Sequence, residues 1–283
     1  MSVSPVWAAA PAAPSPSFDC KAARLPYEKR VCADAQLATL DRELAAAFQA
    51  LRKLLPEQMR PDLEAAQREW AASRGQCEGA AEEVLACLRT SYEKRLQALR
   101  RHAEAARSQP GKRATTECTK LVANATGLTF EGIEVGPKLP KYTLVAVPLT
   151  KGDSTRIHRV EIGPAGQPGQ VIDAATEGYA DPALDGFEVL QCDANFDGFN
   201  DLLLFGSKGV PANLYYSLLV FVPATKRFHI VETFIGMPSL DESMRLLIGG
   251  YTHSNGRGSV TTTYRVRGVS SSSVDSCQAG GCD

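Results

Sequence analysis

The sequence predicts an α + β multidomain protein: a disulfide-stapled, antiparallel three-helix bundle followed by an all-β sandwich or open barrel that carries a calcium loop. Three observations lead to this fold class. The first part of the chain is rich in Ala, Leu, Glu and Arg, with apolar residues at helical spacing. The remainder consists of short β-rich runs separated by Gly, Pro, Asn and Asp. The eight cysteines form an even number without a C-x-x-C pair, which favours disulfides over zinc.

The composition limits the class of protein. A length of 283 residues suits two domains, and a hydrophobic content of 44% is ordinary for a globular chain. The formal net charge of −1 gives no reason to expect nucleic acid or a membrane surface as a partner. No apolar run reaches the roughly 18 residues that a spanning helix needs, so we expect no transmembrane span.

The N-terminal stretch is predicted to lie outside the fold. Residues 1–17 read MSVSPVWAAAPAAPSPS, in which small residues resemble a cleavage site but no basic segment and no full apolar segment precede them. We interpret residues 1–17 as a disordered leader that is the remnant of a signal peptide. The alternative is a disordered Pro/Ala leader without a targeting role.

Residues 18–107 are predicted to form three helices with short connections, which favours an antiparallel bundle. Two long helices show one apolar face each, with residues at steps of three and four: Leu37, Leu40, Leu44, Phe48 and Leu51, then Leu85, Leu88, Tyr92, Leu96 and Leu99. A shorter helix runs between them from about Asp62, a predicted N-cap, to Arg74. Pro56 and Pro61 interrupt the chain before it.

The cysteines of this segment are predicted to meet at one end of the bundle. Cys32 lies near the start of the first long helix, Cys77 follows the short helix, Cys87 begins the last helix, and Cys20 lies just upstream of all three. Two disulfides would pin that end, although the three possible pairings stay open. The other disulfide candidates are Cys118, Cys192, Cys277 and Cys282, of which the last two could close a small local loop.

The second domain is predicted at residues 118–268, after a polar linker at 108–117. Its β-rich runs are short and regularly interrupted, which is typical of a sandwich or barrel. The Ser-rich tail at 269–283 has low complexity, and we expect it to be flexible.

A group of polar and aromatic residues falls in register with the helical cysteines. The chain reads E-K-x-x-C…L-x-x-L-D-x-x-L, then Q-x-x-W-x-x-x-R-x-x-C, then C-L-x-x-x-Y-x-x-R, which places Gln67, Trp70, Arg74 and Tyr92 in the pattern. This pattern, over roughly residues 18–100, resembles the LprI-type lysozyme inhibitor domain. The resemblance implies an exported helical domain, some relatives of which inhibit lysozyme. The alternative is that Trp70 and Tyr92 are core aromatics and that Arg74 pairs with a helix end or a carboxylate.

The segment DANFDGFND, residues 193–201, is predicted to bind calcium as a structural ion. Hard oxygen ligands at alternate positions are the ligand scheme of a calcium loop, and a glycine at the sixth position allows the turn. The predicted ligands are Asp193, Asn195, Asp197, Asp201 and the carbonyl of Phe199. Leu204 stands where an EF-hand has its bidentate Glu, so Asp201 would have to complete the shell. The alternative is an Asx-rich turn whose aspartates bind backbone amides.

The sequence that follows this loop resembles a periplasmic immunity-protein family that protects bacteria from lysozyme-like type IV secretion effectors. The resemblance rests on the Asp/Asn loop, on Gly209 and Asn213, on Tyr216 and on Arg227-Phe228, and covers residues 120–267. It implies a tyrosine-bearing loop that enters the glycan-hydrolase cleft, here from Gly209 to Tyr216. Tyr215 and Tyr216 are adjacent on a strand, so only one can face the core, and we predict Tyr216 as the projecting one. The alternative is two strand aromatics without a partner.

The function predicted from these features is that of a periplasmic or secreted inhibitor or immunity protein of a Gram-negative envelope, which binds and blocks a lysozyme-like peptidoglycan hydrolase. The alternative is a non-inhibitory envelope glycan- or protein-binding module with structural calcium. We expect no enzymatic activity, because the four histidines share no motif and no nucleophile elbow or phosphate-binding loop is present.

Overall fold

The computed structural model describes residues 14–109, 111–173, 187–208, 213–252 and 259–278. The chain divides into two compact units, Met1–Ala114 and Thr115–Asp283, which we name the helical unit and the β-unit. Among the described residues, no helix combines the length and apolar character needed to cross a membrane.

The helical unit contains four α-helices: α1 (Pro26–Ala33), α2 (Ala35–Leu54), α3 (Arg60–Ser73) and α4 (Ala81–Ser108). The three longer helices confirm the predicted helices, and their apolar faces supply the core, with Leu37, Leu51, Leu63, Leu88 and Leu99 fully buried. The short α1 was not predicted, because Val31 is its one buried residue and so leaves no apolar stripe in the sequence.

A polar cap determines where α2 begins, whereas α3 begins without one. Asp34 caps α2, since its Oδ1 accepts the backbone N–H of Leu37 at 2.9 Å, and its Oδ2 accepts from Arg89 on α4 at 2.6 Å. The Leu37 N–H bond is the main cause of the lowered pKa of Asp34. The prediction that Asp62 caps α3 is wrong: the helix begins at Arg60 and takes Pro61 into its first turn, where a missing N–H costs nothing.

The disulfides of the helical unit join residues that are near in sequence. Cys20 is bonded to Cys32, and Cys77 is bonded to Cys87. The first disulfide joins the segment before α1 to the end of that helix. The second joins the segment that follows α3 to the first turns of α4. This selects one of the three pairings that the sequence left open.

The β-unit is an antiparallel β-sandwich. Its fourteen described strands are β1 (Thr116–Glu117), β2 (Thr119–Lys120), β3 (Thr129–Ile133), β4 (Tyr142–Lys151), β5 (Ser154–Pro164), β6 (Gln170–Asp173), β7 (Val189–Cys192), β8 (Asp201–Lys208), β9 (Leu214–Val222), β10 (Arg227–Ile235), β11 (Ser239–Asp241), β12 (Leu246–Thr252), β13 (Ser259–Arg267) and β14 (Ser270–Gln278). They form three sheets, in the orders β1-β11-β12-β13-β14, β10-β9-β8-β7-β2 and β3-β4-β5-β6.

The sheet β10-β9-β8-β7-β2 is covered on both faces. Alternate residues of β8 and β9 enter two different cores: Leu202, Leu204 and Phe221 pack against β3–β6, whereas Leu203, Leu218 and Val220 pack against β11–β13. A strand buried on both faces reads as a continuous apolar run, which is why LLLF and SLLVFV stand out in the sequence.

The third disulfide, Cys118–Cys192, joins two of the three sheets. Cys118 lies between β1, which pairs with β11, and β2, which pairs with β7. The bond therefore holds the chain at the point where it passes from one sheet to the next. Cys277 lies on β14, and Cys282 is outside the described residues, so the predicted bond between them stays a prediction.

Three predicted boundaries differ from the structure. Residues 270–278 of the predicted flexible tail form β14, whose backbone pairs with β13 from Val260↔Gln278 to Arg267↔Ser270. Backbone pairing needs no apolar side chain, which is why a Ser-rich stretch gave no sequence signal. Residues 116–117 of the predicted linker form β1. In the predicted disordered leader, Pro16 is buried and Ser17 is hydrogen-bonded to Asp41.

We predict that the three disulfides stabilise the protein unequally. A cross-link restricts the unfolded chain more when it closes a longer loop. The sequence separation is 74 residues for Cys118–Cys192 but 12 for Cys20–Cys32. Loop-closure entropy then gives about 4.5 kcal/mol for the first and about 3 kcal/mol for the second. Replacing each pair by alanine and measuring unfolding by scanning calorimetry tests this order. Equal losses for the two pairs would contradict it.

Candidate functional site

Three of the four predicted motif residues of the helical unit come together around one guanidinium group. Arg74 lies with its Cζ atom 4.7 Å from the ring centre of Tyr27 and 4.8 Å from that of Trp70. Its Nε donates to the carbonyl of Ala71 at 3.1 Å, and its Nη1 donates to the hydroxyl of Tyr92. Trp70 and Tyr92 also meet edge to face, with ring centres 5.0 Å apart. The cation is thus held by aromatic rings and two hydrogen bonds.

A buried carboxylate completes this arrangement. Tyr92 is fully buried, and its hydroxyl donates to Oδ1 of Asp41 at 2.9 Å. Oδ2 of Asp41 accepts from the backbone N–H and the hydroxyl of Ser17, at 2.7 and 2.5 Å. Burial raises the pKa of Tyr92 well above its ordinary value. The hydrogen bonds therefore form a chain from Ser17 through Asp41 and Tyr92 to Arg74.

The fourth motif residue, Gln67, lies on the same helix and binds α4. Its Oε1 accepts from Nε of Arg95 at 3.1 Å, while Nε1 of Trp70 donates to Ser91 at 3.1 Å. The alternative interpretation of these residues is confirmed in part: Trp70 and Tyr92 are core aromatics, and Arg74 binds a carbonyl at the end of α3. Sequence reasoning missed Ser17, because it was placed in the leader.

This network forms one side of an open cleft of about 340 Å³. Apolar and polar side chains line it in similar number: Phe18, Leu44, Ala45, Phe48, Trp70 and Ala71, with Ser17, Glu28, Asp41, Gln49, Gln67 and Arg74. We name it the motif cleft. Its volume is at the lower end of the range for small-molecule sites, roughly 300–1,000 Å³.

Residues 20–119 match the family model described as Lysozyme inhibitor LprI. Residues 20–119 are therefore similar to this family. The match begins at Cys20, includes all four helices, and ends at the first residue of β2. The rest of the β-unit is not matched by it, so the resemblance to the immunity family stays unconfirmed. No curated protein and no solved structure matches the chain significantly.

The predicted calcium loop of the β-unit lies between β7 and β8 and is folded by its own aspartates. Oδ1 and Oδ2 of Asp193 accept the backbone N–H groups of Asp197 and Gly198, both at 2.9 Å. Oδ1 of Asp197 accepts the N–H of Phe199 at 2.9 Å. Gly198 has a φ of 94°, as the predicted turn requires. These are the bonds of an Asx-rich turn, the alternative interpretation of this segment.

Asp201, a predicted calcium ligand, also forms hydrogen bonds within the fold. Its carboxylate is fully buried and accepts three backbone N–H groups, from Phe221 at 2.9 Å, Ala194 at 2.9 Å and Asn195 at 3.3 Å. It therefore joins the loop to β9. Nδ2 of Asn195 donates to Oδ2 of Asp197 at 3.0 Å, so the two side chains contact each other directly.

The loop concentrates negative charge in a poorly solvated place. Desolvation, followed by the charge of Asp197, raises the pKa of Asp193 to about 7, and desolvation also raises the pKa of Asp197. Arg245 is the cation that acts on both, and its Nη2 donates to the carbonyl of Phe196 at 2.6 Å. Oxygen ligands and excess negative charge suit a hard cation. Within the described segments, however, no three His, Cys, Asp or Glu side chains are grouped to hold a metal. Calcium binding stays a prediction.

The prediction that Tyr216 projects towards a partner is wrong. Tyr216 is fully buried and packs edge to face on Phe205, with ring centres 5.7 Å apart. Its hydroxyl donates to Oε1 of Glu188 at 2.5 Å, and Oε2 of Glu188 accepts from Lys120 at 2.5 Å. Both faces of this sheet are covered, so the rule that one neighbour must face solvent does not hold here.

Of the other predicted partner-binding residues, Asn213 and Tyr215 are only partly accessible. Tyr215 is half-buried on β9. Asn213 binds the backbone of Thr252 through both ends of its amide, at 3.0 and 2.8 Å, so its side chain joins β9 to β12. Gly209 lies outside the described residues.

We predict that Tyr92→Phe destabilises the helical unit by about 1–3 kcal/mol, because it leaves the buried Asp41 without one of its donors and Arg74 without one acceptor. Urea unfolding followed by circular dichroism at the helical band measures the loss. The matched control is Tyr27→Phe, because no described residue hydrogen-bonds the Tyr27 hydroxyl while its ring also contacts Arg74. Equal effects of the two substitutions would contradict the network.

We predict that Ca²⁺ stabilises the β-unit, since the ion would offset the mutual repulsion of the loop carboxylates. Calorimetry should show a higher melting temperature with Ca²⁺ than with a chelator. Asp197→Asn should reduce this difference, while Asp153→Asn, the same change on the exposed turn between β4 and β5, should not. Identical melting with and without Ca²⁺ would show that the loop is an Asx turn alone.

Proposed function

We propose that this protein is an exported inhibitor that binds a lysozyme-like peptidoglycan hydrolase through its LprI domain and blocks the substrate cleft. The match of residues 20–119 to the lysozyme inhibitor family carries this proposal. The disulfides support export, because bonds of this kind persist in oxidising compartments such as the periplasm. Inhibition would work by occupancy of the cleft and would need no chemistry from the inhibitor.

The chemistry of the target suggests which surface should contact it. A glycoside hydrolase of this class has two carboxyl groups flanking the scissile bond. A blocking element must therefore present hydrogen-bond donors or cations, together with an apolar tip that can fill the sugar groove. It must also be rigid, since ordering a loose segment weakens binding.

One exposed segment of the LprI domain meets these requirements. We name it the basic corner: Lys21, Arg24 and Leu25 before α1, with Lys29 and Arg30 on α1. All four cationic side chains are exposed, and Leu25 is 46% exposed, an unusual value for a large apolar residue in this unit. The corner thus combines positive charge with an apolar tip.

The basic corner is held in one conformation by covalent and hydrogen bonds. The Cys20–Cys32 disulfide closes the segment. Oε2 of Glu28 accepts the backbone N–H groups of Arg24 and Leu25, at 2.8 and 3.0 Å, and Nη1 of Arg24 donates to the carbonyl of Lys21 at 3.2 Å. These bonds reduce the entropy that binding would otherwise cost.

The finer elements of the proposal concern compartment and partner. We propose the periplasm of a Gram-negative envelope as the compartment and a lysozyme-like effector as the target. The β-unit would contribute stability or a second contact through Tyr215, the half-buried neighbour of Tyr216. A non-inhibitory binding module is the second candidate, and lack of inhibition with retained binding to peptidoglycan would favour it.

We predict that the purified full-length chain slows the clearing of peptidoglycan suspensions by at least one of several classes of lysozyme. Arg24→Glu should weaken inhibition by about tenfold or more, because it places a like charge against the catalytic carboxylates. Leu25→Ala should weaken it by a smaller factor through lost apolar contact. The readout is the inhibitor concentration at half-maximal clearing.

Lys53→Glu provides the control, since Lys53 is an exposed cation of α2 away from the basic corner and the charge change is the same. It should leave inhibition unchanged. An unmodified chain that leaves every class of lysozyme fully active would contradict inhibition itself. Equal potency of the Arg24→Glu and Lys53→Glu variants would contradict only the role of the basic corner.

A further inference from the structure

The motif cleft contains hydrogen-bonding groups that the fold does not use. Arg74 donates through Nε and Nη1, and its Nη2 has no hydrogen-bond partner among the described residues. Gln67 uses its Oε1 on Arg95, which leaves its NH₂ group without a described partner. Both line the cleft. The guanidinium is planar, so its remaining donors lie in its plane. The Tyr27 and Trp70 rings contact this group and hold its orientation, so the direction of the donors is set before a ligand arrives.

The cleft also offers acceptors and an apolar wall. Oε2 of Glu28 accepts two backbone N–H groups, while its Oε1 has no described partner. Gln49 is exposed at the rim and can donate or accept. Leu44 and Phe48 also line the cleft, and Phe48 is partly exposed. A ligand that fills the cleft should therefore carry a carbonyl, an N–H group and a small apolar group close together.

The charge of the cleft favours a neutral ligand. Arg74 faces two carboxylates, Glu28 and Asp41, and the backbone bonds from Leu25 and Arg24 lower the pKa of Glu28 and keep it ionised. A carboxylate ligand would meet two negative groups, and a cationic ligand would meet the fixed guanidinium. A neutral amide avoids both costs, because its carbonyl can accept from Arg74 while its N–H donates to Glu28.

We propose that the motif cleft binds an N-acetylated amino sugar, with the acetamido carbonyl on Arg74 and Gln67, its N–H on Glu28, and its methyl group against Leu44 and Phe48. The volume of about 340 Å³ suits one or two sugar rings better than a protein loop. This activity is separate from inhibition. It would hold the protein on the glycan that a lysozyme-like enzyme cleaves, which raises the local inhibitor concentration.

Saturation-transfer NMR on the full-length chain tests this site without any enzyme present. The probes are the trimer of N-acetylglucosamine, the glucosamine trimer that lacks the acetyl groups, and N-acetylalanine methylamide as a peptide mimic. We expect transfer to the acetyl methyl protons of the first probe and little or none to the other two. Titration followed by the fluorescence of Trp70, in a Trp7→Phe background, gives the affinity.

Variants locate the site. Arg74→Lys keeps the charge but loses the planar fork, and it should weaken binding by about tenfold. Because Arg74 also supports the fold, Phe48→Ala and Gln49→Ala at the accessible rim provide a second test, with Lys53→Ala as a surface control that should bind normally. Transfer to the peptide mimic as strong as to the sugar would overturn the proposal in favour of a peptide site. No transfer to the sugar, or binding unchanged in all three cleft variants, would overturn it outright.

Discussion

The helical unit depends on one interaction, the contact of Arg74 with three aromatic rings and with the Tyr92 hydroxyl. Arg74 is partly buried, and a charge taken out of water is costly unless it is paired and hydrogen-bonded. Asp41 supplies the opposite charge through Tyr92, and Ser17 supplies the last donors to Asp41. Residues from the segment before α1, from α2, from the end of α3 and from α4 must all be in place for the chain of bonds to close. The motif cleft lies beside this network, so the same bonds that stabilise the fold also hold the side chains of the cleft in place.

The two units compensate the charge of their buried aspartates in different ways. In the helical unit, the buried carboxylate of Asp41 is balanced by the guanidinium of Arg74 through the Tyr92 hydroxyl. In the loop between β7 and β8, Asp193, Asp197 and Asp201 face mainly backbone N–H groups, with Arg245 as the nearby cation. Backbone dipoles orient these carboxylates but leave their net charge uncompensated. This is the physical reason why the loop attracts a cation in the calcium hypothesis, even though its observed bonds are those of a turn.

Sequence reasoning predicted the parts of the fold that depend on local periodicity. The three long helices and most strands follow from repeated apolar positions, and the spacing of the cysteines and polar residues also identifies the motif Gln67, Trp70, Arg74 and Tyr92. The predictions that are wrong or missing depend on contacts between residues that are distant in sequence. Tyr216 is wrongly predicted to project towards a partner. Its sheet is buried on both faces only because a third sheet, which is distant in sequence, covers the second face. Strand β14 is missed because it depends on backbone pairing, which leaves no trace in side-chain composition. The Ser17 contact is missed because its partner, Asp41, is 24 residues away. Disulfide pairing likewise depends on distances that spacing alone does not give.

The chain crosses between sheets at Cys118, which determines when the first two strands of the β-unit can pair. Strand β1 pairs with β11, so Thr116 must find Leu240, and β2 pairs with β7, so Thr119 must find Gln191. A chain that emerges from its N-terminus therefore holds β2 without its partner until Gln191 has emerged, and β1 until Leu240 has emerged. Such long-range pairing slows folding. The Cys118–Cys192 bond can form only once β7 has emerged, and from then on it holds the start of the β-unit covalently against β7 while the later strands pair.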